Sequence, residues 1–220
     1  MLKIWGRRNS QNVQKPMWLL GELGLAHEHV DAGGKFGVVD TPSFRAMNPN
    51  GKVPVIQDGE LVLWESGAIL RYLGAKYGRD SKAGNFWFDD AGKRALADQW
   101  MEWSSTSLQP AFLSGIFMAY WRTPEAQQNR QQIENGIQAV GGLMLLLDAQ
   151  LAGKQFVLGD QLTLGDIHIG CNLYRYFEID LPKPEIPNVR AYYKRLTERP
   201  AYRQHVMVSI ADMRAVPVAR

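Results

Sequence analysis

The chain has 220 residues, a net charge of +3 and one cysteine, Cys171. That length permits one large domain or two small ones, each with its own core, and a single thiol excludes an internal disulfide and suits a reducing compartment. No apolar run reaches the roughly 18 residues of a membrane span, the opening MLKIWGRR lacks a signal peptide's apolar stretch, and the basic residues are scattered rather than gathered into the stripe that nucleic-acid binding uses. A cytoplasmic protein with neither membrane nor nucleic acid as partner is therefore expected.

In chain order, residues 2–5 read as a short strand and 13–23 as a helix, with Pro16 tolerated because it lies in the first turn. Residues 27–30, 53–57 and 61–64 read as three further strands, the last two joined by an Asp58-Gly59 hairpin turn. The stretch between the second and third strands reads as irregular. Residues 66–77 form a helix with Ala68, Ile69, Tyr72 and Leu73 on one face, stopped at Gly78. This order, βαβ then ββα, is a thioredoxin-like layout.

Strand signals then vanish. Residues 89–121 read as one long helix, bent or broken at Pro110. Residues 124–151 carry a stripe of Ile133, Ile137, Val140, Met144, Leu147 and Leu151 that faces a core. Thr163-Leu164-Gly165-Asp166 reads as a capping box opening a helix, and 188–198 supplies one more. Residues 211–220 show no period and suggest loose packing. The expected division is a thioredoxin-like domain over 1–78, a linker over 79–88 and an all-helical domain over 89–220.

Four groups of residues could carry chemistry. Ser10-Gln11-Asn12-Val13 lies where the first strand feeds a helix N-terminus, whose free N–H groups and dipole favour an anion. With no C-x-x-C pair, dithiol exchange is excluded. Ser10 or Asn12 can still donate to an external thiolate and lower its pKa, or Ser10 serves only as an N-cap. In the run Asn48 to Val55, Pro54 begins a strand, an arrangement that can leave the Val53 N–H and C=O free to pair with a peptide-like ligand, or the run is an ordinary turn before an edge strand. Glu65-Ser66 at the next helix start suits an amino-acid head group, the Ser66 N–H and hydroxyl for an α-carboxylate and Glu65 for an α-ammonium, or Ser66 is only a helix cap with an acidic neighbour. Arg7, Arg8, Lys15, Lys35 and Lys52 are basic candidates near this cleft, joined by Arg122 if the long helix packs over it. His27, His29, His168 and His205 have no metal-ligand spacing with Cys171, so no metal is expected. Aromatic residues crowd the long helix, among them Phe117 and Trp121, as core or dimer contacts or as walls of an apolar pocket.

Taken together, N-P-N-G-K-V-P from Asn48 to Pro54 and W-E-S-G-A-I-L-R-Y-L from Trp64 to Leu73 resemble the cytosolic glutathione transferase superfamily. The opening Gly6 to Lys15, with Phe36-Gly37, looks like a bacterial serine- or asparagine-type subgroup with a haloacid-dehalogenating member. The resemblance implies glutathione as co-substrate, with Ser10 and Asn12 as thiolate donors. Val53 would hold the cysteinyl main chain across a cis Pro54, Glu65 and Ser66 the γ-glutamyl end, and Lys35 and Lys52 the glycyl carboxylate. It also implies a homodimer, in which Asp98 and Glu102 would reach the partner's γ-glutamyl amine unless they lie on a solvated face. Trp5 stands near where tyrosine-type classes carry their hydroxyl. The implied activity is transfer to a small electrophile, anionic if Arg7 and Arg122 face it, with Phe117 and Trp121 lining the same pocket. Glutathione-dependent reduction of disulfides or peroxides, and ligand binding without chemistry, are the alternatives.

Overall fold

The computed structural model describes residues 1–215. Its first part holds β1 (Leu2–Trp5), α1 (Gln11–Glu22), β2 (His27–Val30), α2 (Pro42–Met47), β3 (Val55–Asp58), β4 (Leu61–Trp64) and α3 (Ser66–Tyr77). The strands form one sheet in the order β2-β1-β3-β4. β1 runs parallel to β2, and β3 runs antiparallel to both β1 and β4. The parallel pair needs a crossover, which α1 supplies. Leu2 and Ile4 point into the core, while Lys3 pairs with Glu28 at 2.9 Å on the other face.

The second part is helical: α4 (Ala91–Trp103), α5 (Gln109–Phe112), α6 (Arg130–Gln150), α7 (Leu164–Glu178), α8 (Pro187–Glu198) and α9 (Pro200–His205). This is the thioredoxin-like sheet followed by an all-helical unit that the element order implied. α7 is the central helix, buried from Leu164 through Tyr176. At its start the Asp166 carboxylate accepts from the Thr163 N–H and hydroxyl, each at 2.8 Å. Asp166 also accepts from Val157 N–H at 2.8 Å and Tyr192 OH at 3.0 Å, so one buried carboxylate ties three segments together.

Four expectations need correction. The first helix begins two residues early, at Gln11, so Pro16 sits in the second turn and cannot donate to the Asn12 carbonyl. The segment between β2 and β3 is not wholly irregular: Thr41 accepts from Phe44 N–H and caps the short α2, with Pro42 in its first turn. The long helix does not break at Pro110. Helix continues from Ala91 to Trp121, with its pitch widened to π over Ser104–Leu108 and Leu113–Trp121. A wider pitch accommodates a residue that has no N–H to give and whose ring crowds the preceding turn. The sixth helix starts at Arg130, capped by Asn129, with Pro124 to Gln127 forming a separate turn.

The two parts are registered by packing and by polar contacts. Trp18 of α1 meets Tyr202 of α9 edge-on at 4.8 Å. Gly170 of α7 makes room for the same indole, since a Cβ there would lie 2.7 Å from Trp18 Cζ3. Fully burying a side chain of this kind contributes roughly 2–3 kcal/mol. Arg199 donates to both Glu22 carboxylate oxygens at 2.7 Å and to the Ala83 carbonyl at 2.7 Å. No described helix is long and apolar enough to cross a membrane.

Candidate functional site

The β1–α1 turn is the hub. Gly6 has φ 154, and a Cβ there would fall 2.3 Å from Val13 Cγ2, so only glycine lets the turn fold this close over α1. Ser10 caps α1 through its main chain: its carbonyl accepts from the Val13 and Gln14 N–H groups at 2.9 Å, and its own N–H donates to Arg7. Its hydroxyl caps nothing and has no partner among the described residues. A free hydroxyl and the unbonded N–H groups of a helix start therefore lie together.

Clefts open on either side of this turn. The first, about 660 Å³, is lined by Arg7, Arg8, Lys35 and Arg122 together with Asp31 and Asp212, among others. Burial and the neighbouring Arg122 push the Arg7 guanidinium below its ordinary pKa, with Asp212 opposing. Arg175 of α7 adjoins this group. It is 4 % exposed and donates from Nη2 to the Asn9 carbonyl at 2.6 Å. It stacks 4.8 Å over the Phe117 ring, and its Nε has no partner among the described residues. Burial, Arg7 and Arg122 push it down to about 10. Cations that depress one another mark a place where an anion would be stabilised.

The second cleft, about 500 Å³, is lined by Asn12, Lys15, Glu65, Ser66, Arg71 and Gln109, among others. Glu65 precedes α3 with φ 69, a left-handed value uncommon outside glycine, so the backbone at this turn is strained. Ser66 begins the helix and is buried. Lys15 is 1 % exposed, and burial pushes it down to about 7, against the pull of Cys171 and Glu65. Cys171 lies behind it. Burial drives that thiol up to about 12, so it is not a nucleophile.

Val53 lies just beyond the last β1–β3 pair, Trp5 with Val55, and the Val53–Pro54 peptide is cis. Among the described residues neither its N–H nor its C=O has a partner. Gly33 packs against it, where a Cβ would lie 3.5 Å from Val53 Cγ2, and the next turn, Gly34–Phe36, carries Lys35.

The expected residues therefore divide. Arg7, Lys35 and Arg122 meet in one cleft, and Asn12, Glu65 and Ser66 in the other. Lys52 is exposed and lines neither. Phe117 is 3 % exposed and lies beneath Arg175, away from either lining. Trp121 donates from its indole to the Ile210 carbonyl at 3.1 Å and braces the wall without lining it. Asp98 and Glu102 both bind Arg71 of their own chain, at 2.6 and 2.5 Å.

The family models described as Glutathione S-transferase, N-terminal domain and Glutathione S-transferase, C-terminal domain match residues 1–75 and 96–200. The chain belongs to the glutathione S-transferase family. The transferase is 41% identical to Glutathione S-transferase GstB of Escherichia coli over 96% of this chain and 100% of that one. Its fold matches the crystal structure of a theta class glutathione S-transferase from Xanthomonas axonopodis pv. citri with glutathione bound. There the TM-score is 0.88 and the identity 42%, covering 95% of this chain and 98% of that one. A glutathione transferase from Populus trichocarpa shares the fold at TM-score 0.82 and 23% identity.

Sequence reading missed several residues in or beside the two clefts. Arg175 and Gln109 carried no signal, because each is one polar residue on a helix whose facing surface is unknown until it packs. The segment from Val208 to Met213, part of which the sequence suggests is loosely packed, walls the first cleft, held by Trp121 and by Ala215 N–H donating to the Trp121 carbonyl at 2.9 Å. Residues 216–220 of that reading lie outside the described residues.

Proposed function

We propose that this transferase binds glutathione along Val53 and the second cleft and joins its sulfur to a small anionic electrophile held in the first. The γ-glutamyl carboxylate meets the Ser66 N–H and hydroxyl at the α3 start, and Glu65 accepts from the ammonium. The cysteinyl main chain adds to Val53 as a strand would. Lys35 and Lys52 neutralise the glycyl carboxylate. The thiol then lies by Ser10 and Asn12, where a hydroxyl or amide N–H and the α1 dipole stabilise the thiolate. The thiolate attacks carbon, a C–S bond forms, and the leaving group departs with the bonding pair. The thiol proton passes to solvent.

The observation that supports this reading best is the position of the Ser10–Asn12 turn between an amino-acid-like cradle and an arginine cluster. Calorimetry tests the first half: glutathione should bind, and Glu65→Ala should weaken it at least tenfold. In the Ser10→Ala, Asn12→Ala double variant, turnover at neutral pH should fall by more than an order of magnitude, and an unchanged rate would remove the mechanism. The second half rests on charge. Arg122→Ala should raise KM for a haloacetate about tenfold, the scale of one charge-assisted hydrogen bond. It should leave KM for the neutral haloacetamide of the same shape within a factor of two.

A further inference from the structure

Lys15 is the most deeply buried lysine of the described chain, and no carboxylate forms an ion pair with it among the described residues. Three polar groups surround its Nζ instead: Gln109 Oε1 at 2.7 Å, His168 Nε2 at 2.9 Å and Asn12 Oδ1 at 3.1 Å. Gln109 Nε2 in turn donates to Asn12 Oδ1 at 2.9 Å. Lys15, Gln109 and Asn12 thus close a ring in which the Asn12 oxygen accepts twice.

The donor inventory fixes which way this ring points. An ammonium donates three hydrogen bonds and accepts none, so the atoms facing it must be acceptors. Gln109 turns its oxygen to Lys15, which leaves its NH2 for Asn12. Asn12 must present oxygen to both. A neutral amine at Lys15 keeps the same arrangement, since its lone pair can accept from His168. The His168 ring is held neutral by burial and by Lys15, and its Nδ1 has no partner among the described residues. With its oxygen turned inward, Asn12 keeps both N–H bonds of Nδ2 uncommitted among the described residues, and Asn12 lines the glutathione cleft.

We propose that Lys15 is a positioning residue: through the ring with Gln109 it locks the Asn12 amide so that its NH2, and never its oxygen, faces the sulfur. An amide free to flip would spend part of its time presenting oxygen to a thiolate, which repels it. Locked, the amide is a fixed donor, and the bonds to its oxygen polarise its N–H groups. The inference rests on the proposed glutathione-binding reading and adds to it that Asn12 is the orientation-dependent donor, whereas the Ser10 hydroxyl rotates freely.

The experiment uses the full chain with four variants: Lys15→Met, Gln109→Leu, Asn12→Ala and the double Lys15→Met, Asn12→Ala. Calorimetry reads glutathione affinity, and thiolate ultraviolet absorbance across pH reads the pKa of the bound thiol. Lys15→Met should bind glutathione within about threefold of the parent and raise the bound thiol's pKa by about one unit. That lowers the thiolate fraction, and turnover at neutral pH, by up to about tenfold, and the deficit should close at alkaline pH. Gln109→Leu, which keeps the lysine and removes one arm, should move the thiol the same way by less, and carries the comparison should Lys15→Met not fold. In the Asn12→Ala background, Lys15→Met should add no further shift. An unmoved thiol pKa in both Lys15→Met and Gln109→Leu would overturn the proposal. So would a full extra shift in the double variant, since the lysine would then act through its charge or through packing. Absence of glutathione binding by the parent chain would instead overturn the underlying reading, and is seen before any variant is made.

Discussion

His205 and Asp166 show how burial converts single residues into pH-sensitive or stability-bearing groups. His205 is 7 % exposed, and burial, with the nearby His27, Arg8 and His29, pushes it down to about 4. Between roughly pH 6.5 and pH 4 the unfolded chain binds a proton that the folded chain refuses. Stability therefore rises with pH across that window and is lost as pH falls through it, by up to about 3 kcal/mol. Urea midpoints at pH 7 and pH 4.5 should differ accordingly, and His205→Phe should flatten the difference. Glu65 and Ser66 were legible as a pair because helix-start chemistry is local. Lys15 was legible only as one more basic residue. Nothing in its neighbours along the chain says that its ammonium ends against Gln109, which is 94 positions away.

At the scale of elements, the strands and most helices could be read because periodicity and caps are local properties. The box at Thr163 and Asp166 is the clearest case, and its worth is measurable. Asp166→Ala would leave the Thr163 and Val157 N–H groups and the Tyr192 hydroxyl unpaired in the core. The expected loss is about 3–5 kcal/mol in denaturant unfolding, well above the roughly 1 kcal/mol of an exposed cap. The π-pitched stretches around Pro110 were not legible. A proline signals trouble for a helix, but whether the chain breaks or widens depends on what packs beside it. Here the Leu113–Trp121 segment packs on α6, and Gly115 and Gly136 approach so closely that a Cβ on Gly115 would lie 2.7 Å from the Gly136 Cα. That contact anchors the stretch after the proline, while the Ser104 hydroxyl, donating to the His168 carbonyl at 3.3 Å, ties the stretch before it to α7.

For the whole molecule, the surface carries an exposed apolar side. Leu96 on α4 and Leu145 and Leu146 on α6 are 50%, 49% and 48% exposed, and Leu146 shares a groove with Trp100 and Trp103. We propose that this side joins a two-fold dimer. Light scattering at micromolar concentration should then give twice the 24.8 kDa chain mass, and Leu146→Glu should shift the population toward one chain. Asp98 and Glu102 bear on the same question. Both are held by Arg71 within the chain, so any contribution to a partner's ligand requires sharing them with that guanidinium.

The amino-acid order by itself determined the thioredoxin-like half, the helical half, the free edge at Val53 and the polar turn at Ser10 to Asn12. Each depends on residues a few positions apart, where turn chemistry and hydrophobic period act. Only the tertiary structure decided which charged groups meet: Arg7 with Arg122 and Arg175, and Lys15 with Gln109 and His168. These partners are separated by scores of residues, and the low dielectric that makes their encounter matter exists only once the helices have packed.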